Sequence, residues 1–180
     1  MIFIKYIFAA LLIPFYGHAD APEPITIGDV EMKADKKSQA FEQVLKKIGK
    51  WEGTMTQGLS GEVFEVSYEY KLTSGGNTIT ETIVEDGVEM LTTYSDADGE
   101  LVVKHYCALG TEPIFKVSQA SENVVEIEID DARTQLHAEH DSFVTAMTWT
   151  MTSMDSMTFE NTVMLGGELT KNRAELRRMQ

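Results

Sequence analysis

Cysteine is almost absent from this sequence. Cys107 is the only one, so no intramolecular disulfide holds the fold. Basic residues are scarce as well, with 15 Lys plus Arg against 29 Asp plus Glu, for a formal net charge of -14 and a pI near 4.6. A field of that sign repels phosphate, which argues against nucleic acid and against an anionic membrane surface as partners. No apolar run reaches the ~20 residues that a bilayer-spanning helix needs, so no permanent membrane anchor is expected. Familiar enzyme signatures are missing too. There is no phosphate loop or dinucleotide fingerprint, and Ser60 in Gly58-Leu59-Ser60-Gly61 lacks the spacing of a nucleophile elbow. What remains is 43% hydrophobic over 180 residues, the make-up of one ordinary domain that buries about 70% of its unfolded surface without a metal or disulfide staple.

The N-terminus carries one charge, Lys5, then an apolar run from Tyr6 through Ile13, then Pro14 and the small residues Gly17, Ala19 and Ala21. This is the pattern of a secretory signal peptide over residues 1–19, with cleavage expected after Ala19 or Ala21. A periplasmic or extracellular protein follows, in which an unpaired cysteine is best protected by burial. Residues 20–32, with Pro22 and Pro24, read as an extended lead-in to a domain over 33–180.

In that domain one helix is expected, Lys33 to Ile48. Phe41, Val44, Leu45 and Ile48 recur at helical spacing, lysines occupy the other face, and Gly49 ends it. The period then changes to two. Phe64, Val66, Tyr68, Tyr70 and Leu72 alternate with Glu65, Ser67, Glu69 and Lys71, as in a strand with one buried and one wet face. Similar runs follow to Met179, separated by turn chemistry such as Ser74-Gly75-Gly76, Asp86-Gly87, Asp98-Gly99 and Gly166-Gly167. About ten strands joined mostly by short turns predict a mainly β fold, an up-and-down antiparallel barrel capped by one helix. A barrel wider than eight strands is expected to leave a cavity.

Gly49-Lys50-Trp51-Glu52-Gly53, directly after the helix, resembles the first-strand G-x-W signature of lipocalin and calycin barrels. Together with Tyr70 to Gly76, Thr80-Glu81-Thr82, Glu89 to Tyr94 and Leu101 to Gly110, it is similar to an uncharacterised family of secreted bacterial lipocalin-like proteins. The likeness is strong from Phe41 to Cys107 and faint to Trp149. It implies a calycin-type barrel and brings no established reaction or ligand. It also implies a structural role for Gly49, Trp51 and Gly53, with Arg173 or Arg177 stacking on Trp51 at the closed end. Ten-stranded nitrobindin-like barrels share a similar opening, and they imply haem held by a lumenal histidine. Here Met55 breaks the next glycine of that pattern and no histidine follows His140, so His105 would have to serve from a different strand.

Alternation also selects the candidate site. Leu101, Val103, His105 and Cys107 share one face of their strand and Lys104 the other, so His105 and Cys107 are expected to point inward. Glu81 lies on the face of Ile79 and Ile83 by the same argument. A carboxylate and an imidazole are thus expected in one lumen, where they either satisfy each other and Tyr68 and Tyr94, or fix the polar end of a bound molecule. Glu81, His105, Tyr68, Tyr94 and Cys107 are the ligand-binding candidates. Cys107 is expected to be an inert core thiol, because an acidic chain does not supply the setting of a reactive thiolate. Two metal patterns, His137-Ala138-Glu139-His140-Asp141 and Met151/Met154/Met157, are explained as well by a polar loop and by strand packing. The expectation is a secreted barrel that binds a small apolar or amphipathic molecule without transforming it, with no cofactor, no metal and no catalytic residue. A haem-dependent detoxifying enzyme and an acidic envelope interaction protein with a filled barrel are the alternatives.

Overall fold

The computed structural model describes residues 25–31, 36–97, 99–136 and 139–180. The proposed signal peptide and its cleavage sites lie outside them, as does His137. The chain divides after Lys33 into two units. In the first, β1 (Thr26–Ile27) and β2 (Val30–Glu31) form a small hairpin whose described residues are all exposed. A turn at Gly28-Asp29 thus interrupts the expected extended lead-in.

The second unit begins with α1 (Gln39–Leu45). The helix is shorter than its apolar periodicity predicts, because Ser38 caps it. The Ser38 hydroxyl accepts from the Phe41 N–H at 3.1 Å, and its own N–H and hydroxyl donate to Asp96. The chain then leaves the helix through a turn at Lys46 and Lys47 before the first barrel strand.

Ten strands follow: β3 (Gly49–Thr56), β4 (Val63–Thr73), β5 (Thr78–Glu85), β6 (Val88–Ala97), β7 (Glu100–Tyr106), β8 (Ile114–Ala120), β9 (Val124–Ile129), β10 (Phe143–Ser153), β11 (Ser156–Leu165) and β12 (Glu168–Arg178). Each pairs antiparallel with its sequence neighbour, and β12 pairs with β3, so the sheet closes as a barrel. Closure leaves no edge strand for another chain to pair with. The turns follow the sequence. Asp86 (φ 47°) and Gly87 (φ 77°) supply the two positive φ angles that a tight hairpin between Glu85 and Val88 needs.

Inward and outward residues alternate as the pleat demands. Along β4, Val66, Tyr68 and Tyr70 are buried, and along β7 so are Leu101, Val103 and His105. The odd-numbered barrel strands run from the helix end of the barrel to the opposite end, so the two ends are defined. One, the base, carries α1 and the short turns after β4, β8 and β10. The other, the mouth, carries the connections after β3, β5, β7, β9 and β11.

At the base the G-x-W segment performs a packing task. Gly53 lies so close to β12 that a Cβ there would sit 1.8 Å from the Glu175 carbonyl oxygen, and Leu176 is its register partner. Trp51 is fully buried, and its indole N–H donates to the Lys47 carbonyl at 2.7 Å. The arginine over it is Arg178, with the guanidinium carbon 4.3 Å from the ring centroid. This corrects the expected Arg177 or Arg173. Along β12 the inward residues are Ala174 and Leu176, so the pleat turns Arg178 toward Trp51 and leaves Arg177 and Arg173 exposed. Arg173 instead pairs with Glu160 and Glu175 on the outside. Arg178 also donates to the carbonyls of Lys46, Ile48 and Met154, which fastens the end of the helix to the barrel floor.

Candidate functional site

The lumen has two levels. The lower, toward the base, is filled by Tyr68, Tyr70, Tyr94, Trp149 and Phe159, which meet at ring-centroid distances of 5.4–6.3 Å. Among them lies a group the sequence reading did not single out, Lys47. It is 1% exposed, and its ammonium group sits 3.8 Å from the Trp149 ring centroid, 4.9 Å from Tyr70 and 5.2 Å from Tyr94. No hydrogen-bond acceptor reaches its Nζ among the described residues, so the aromatic faces are its main partners. Burial lowers its pKa to about 7, while the charge of Glu81 acts in the opposite direction. A signal for Lys47 did exist. It stands three residues after Val44 and seven after Ala40, so it continues the spacing of the residues that α1 buries into the turn beyond the helix.

Glu81 belongs to this lower level. It is buried, its Oε2 accepts from the Tyr94 hydroxyl at 2.5 Å, and burial raises its pKa against the stabilising effect of Lys47 and the neighbouring hydroxyls. Burial likewise pushes the Tyr70 and Tyr94 hydroxyls well above the usual tyrosine range. Register places Glu81 beside Thr92, and Thr92 beside His105, across β5, β6 and β7. Thr92 Oγ1 and His105 Nδ1 share a hydrogen bond of 2.9 Å. Glu81 and His105 therefore face the same lumen without bonding to each other, and Thr92 stands between them. His105 is 4% exposed, and burial lowers its pKa to about 4. Its ring is neutral at pH 7.

Above this level the inward side chains shrink and a cavity of about 290 Å³ opens toward the mouth. Phe159 forms part of its floor, Ile83, Met90, Val144, Met147 and Val163 its walls, and His105 and Cys107 lie on the β7 side. Glu85 lines the cavity and accepts from the Tyr68 hydroxyl at 2.9 Å; burial raises its pKa. Cys107 is half-buried just beyond the end of β7, packed against the core, and burial raises the pKa of its thiol. Asn161 faces the cavity opposite, with its Oδ1 accepting from Asn172 at 2.9 Å. Around the mouth, exposed apolar side chains stand on two connections, at Leu59 and Leu109, and at the start of β6, at Val88.

Of the five ligand-binding candidates, His105 and Cys107 line the cavity, whereas Glu81 and Tyr94 lie in the packed layer beneath it. Tyr68 connects the two levels by holding Glu85. Glu85 follows Ile83 on the inward face of β5, so the alternation that selected Glu81 also pointed to it. Of the methionine pattern, Met157 is buried, Met151 is half-buried and opposite it across the hairpin, and Met154 is 83% exposed in the turn.

No protein-family profile matches the sequence, and no curated protein does. Among solved structures, the barrel is similar to a protein of unknown function of the DUF3598 family from Nostoc punctiforme, with a TM-score of 0.56 at 8% identity, over 76% of this chain and 49% of that one. The chain thus spans about half the length of that relative. A looser likeness, with a TM-score of 0.43 at 13% identity, links 78% of the chain to 99% of EF1p2_mFAP2b, whose structure has DFHBI bound. At such identities the first match speaks for the fold alone and the second adds nothing to it. The chain folds as a closed ten-stranded antiparallel barrel with a single helix at one end and a cavity toward the other.

Proposed function

We propose that this barrel binds one small, largely apolar molecule at its mouth and releases it unchanged. The observation that carries this reading is the cavity itself, about 290 Å³ of apolar-walled space with a few polar groups on one side. That is near the lower bound of the ~300–1,000 Å³ typical of small-molecule sites. No haem chemistry is assigned to a space of this size. A raised thiol pKa at Cys107 and a carboxyl at Glu81 sealed beneath aromatic rings supply no reacting pair.

Native mass spectrometry of the full chain purified under gentle conditions tests this. A small molecule should accompany the protein in stoichiometric amount and leave on unfolding. Val144→Trp, which fills the cavity from its wall, should give a folded protein without it. Equal retention by both proteins would place the binding elsewhere. We propose further that the protein is exported through a cleaved leader, on the strength of the apolar run from Tyr6 to Ile13 and the small residues after it. The intact mass of exported material should correspond to a chain starting at Asp20 or Pro22, and a membrane-retained full-length species would refute export.

A further inference from the structure

The chemistry around the cavity narrows the ligand. Three carboxyl side chains, Glu62, Glu85 and Asp86, line it, and no lysine or arginine does. The neighbouring cations face away from it. Lys47 is sealed in the aromatic layer, Lys104 pairs with Glu112 on the outside, and Lys171 lies on the exposed face of β12, alternate to the cavity-lining Asn172. The donors that line the space are the neutral amides of Gln57, Asn161 and Asn172, and the Asn172 amide already donates to Asn161.

A second observation is independent of these acids. His105 is almost wholly buried, with one ring nitrogen bonded to Thr92. Among the described residues its Nε2, on the opposite side of the ring, has no partner, and the ring lines the cavity. Thr92 has one proton to give. With that proton turned toward Glu81, its oxygen accepts from Nδ1–H, and Nε2 then presents a lone pair to the cavity. At Glu85, one oxygen is taken by Tyr68 and the other is left to accept. Both acceptors face the open space of the cavity, so the site is complementary to a molecule that brings its own donors.

We propose that the cavity selects small apolar molecules bearing a protonated amine and rejects carboxylates and phosphates of equal length. The proposal rests on the small-molecule reading above and adds the charge of the ligand's head. An ammonium group finds an acceptor at Glu85 and another at the His105 lone pair along the same wall, whereas a carboxylate entering the space meets like charges and no cation. The volume holds on the order of ten non-hydrogen atoms, taking about 30 Å³ for each, the share of one water. Short alkyl chains therefore test it.

Calorimetric titration of the full chain with octylamine, 1-octanol and octanoate at pH 7 is the experiment. Octylamine should bind at least tenfold more tightly than 1-octanol, and octanoate at least tenfold more weakly. In Glu85→Gln, which still accepts from Tyr68, the preference for the amine over the alcohol should fall by about tenfold. Asp86→Asn, in an exposed turn, supplies a second reading of the same preference with little risk to folding. Val144→Trp should remove binding of all three, which separates the cavity from general attraction of cations to an acidic protein. If 1-octanol binds but octanoate equals the amine, or if the preference survives both acid substitutions, the charge inference is overturned and the cavity reading stands. If none of the three binds, both are overturned.

Discussion

The base and the mouth are built on the same ten strands, yet one is filled and the other is hollow. Their difference lies in the size of the inward side chains. Trp51, Tyr70, Tyr94 and Trp149 occupy the lower levels, and Ile83, Val144 and Val163 the upper. Strand number sets the width of the lumen, and side-chain volume at each level decides whether that width is used for packing or for a ligand. The polar groups divide in the same way. At the base they are spent on one another: Arg178 on three carbonyls, Glu81 on Tyr94, Lys47 on three aromatic faces. At the mouth Glu85 and His105 each keep an acceptor facing the cavity.

Removing a packed residue from the base should have the largest effect. Trp51→Ala is expected to destabilise by about 3–5 kcal/mol, as for other large aromatic truncations in cores, in urea unfolding curves. The smaller truncation of the cavity wall, Val163→Ala, should cost far less, because it removes fewer atoms and the site is already open on one side. Equal losses would erase the contrast between the ends.

The next effect depends on pH. His105 is held neutral with a pKa lowered to about 4 from 6.5. Between these values the unfolded chain binds a proton that the folded one does not, so stability rises with pH through the window and is lost as pH falls from 6.5 to 4. The amount is roughly 3 kcal/mol. His105→Gln, which keeps a partner for Thr92, should lose that much less than the parent over the same window, as read by unfolding at a series of pH values.

Lys47 provides the complementary test at the base. Its pKa is lowered from 10.5 to about 7. The unfolded chain therefore binds more protons between pH 7 and 10.5, and stability should rise with pH there as the cost of deprotonating the lysine for burial falls. Lys47→Met should remove that rise and stabilise the protein at neutral pH by about 1–4 kcal/mol, as replacement of buried ionic groups by apolar ones often does. Unfolding at pH 7 and pH 10 distinguishes this from a lysine whose charge is essential to the fold, for which both values would drop.

How much of this was legible in the sequence varies with the physical signal. The barrel was, because alternation along strands such as Phe64 to Leu72 and paired turn residues such as Asp86-Gly87 are local and repeat. The inward directions of Glu81 and His105 followed from the same pleat. Lys47 was missed because a lysine beside Lys46 reads as solvated surface, and its burial depends on a turn that ends the helix at Leu45. Arg178 was missed by one residue, which in a strand is the difference between outside and inside. Whether Glu81 reached the cavity could not be read locally, since Tyr68, Tyr94, Trp149 and Phe159 come from four strands distant in sequence.

The smallest expected effect sharpens that one-residue distinction. Arg178→Met should cost about 1–3 kcal/mol by removing the charged hydrogen bonds to the carbonyls of Lys46, Ile48 and Met154 and the contact with the Trp51 ring. Arg177→Ala, on the exposed side of the same strand, should stay within about 0.5 kcal/mol. Thermal unfolding of the two variants side by side checks it.

The account stands or falls on where a small molecule goes. A crystal structure of the full chain soaked with a short brominated alcohol, with the bromine located by its anomalous signal, addresses this directly. The account predicts one bromine site inside the mouth, bounded by Val144, Met147 and Phe159, and none among the aromatic rings around Lys47. Bromine confined to the outer surface, or lodged beside Trp149 with the mouth empty, would contradict it.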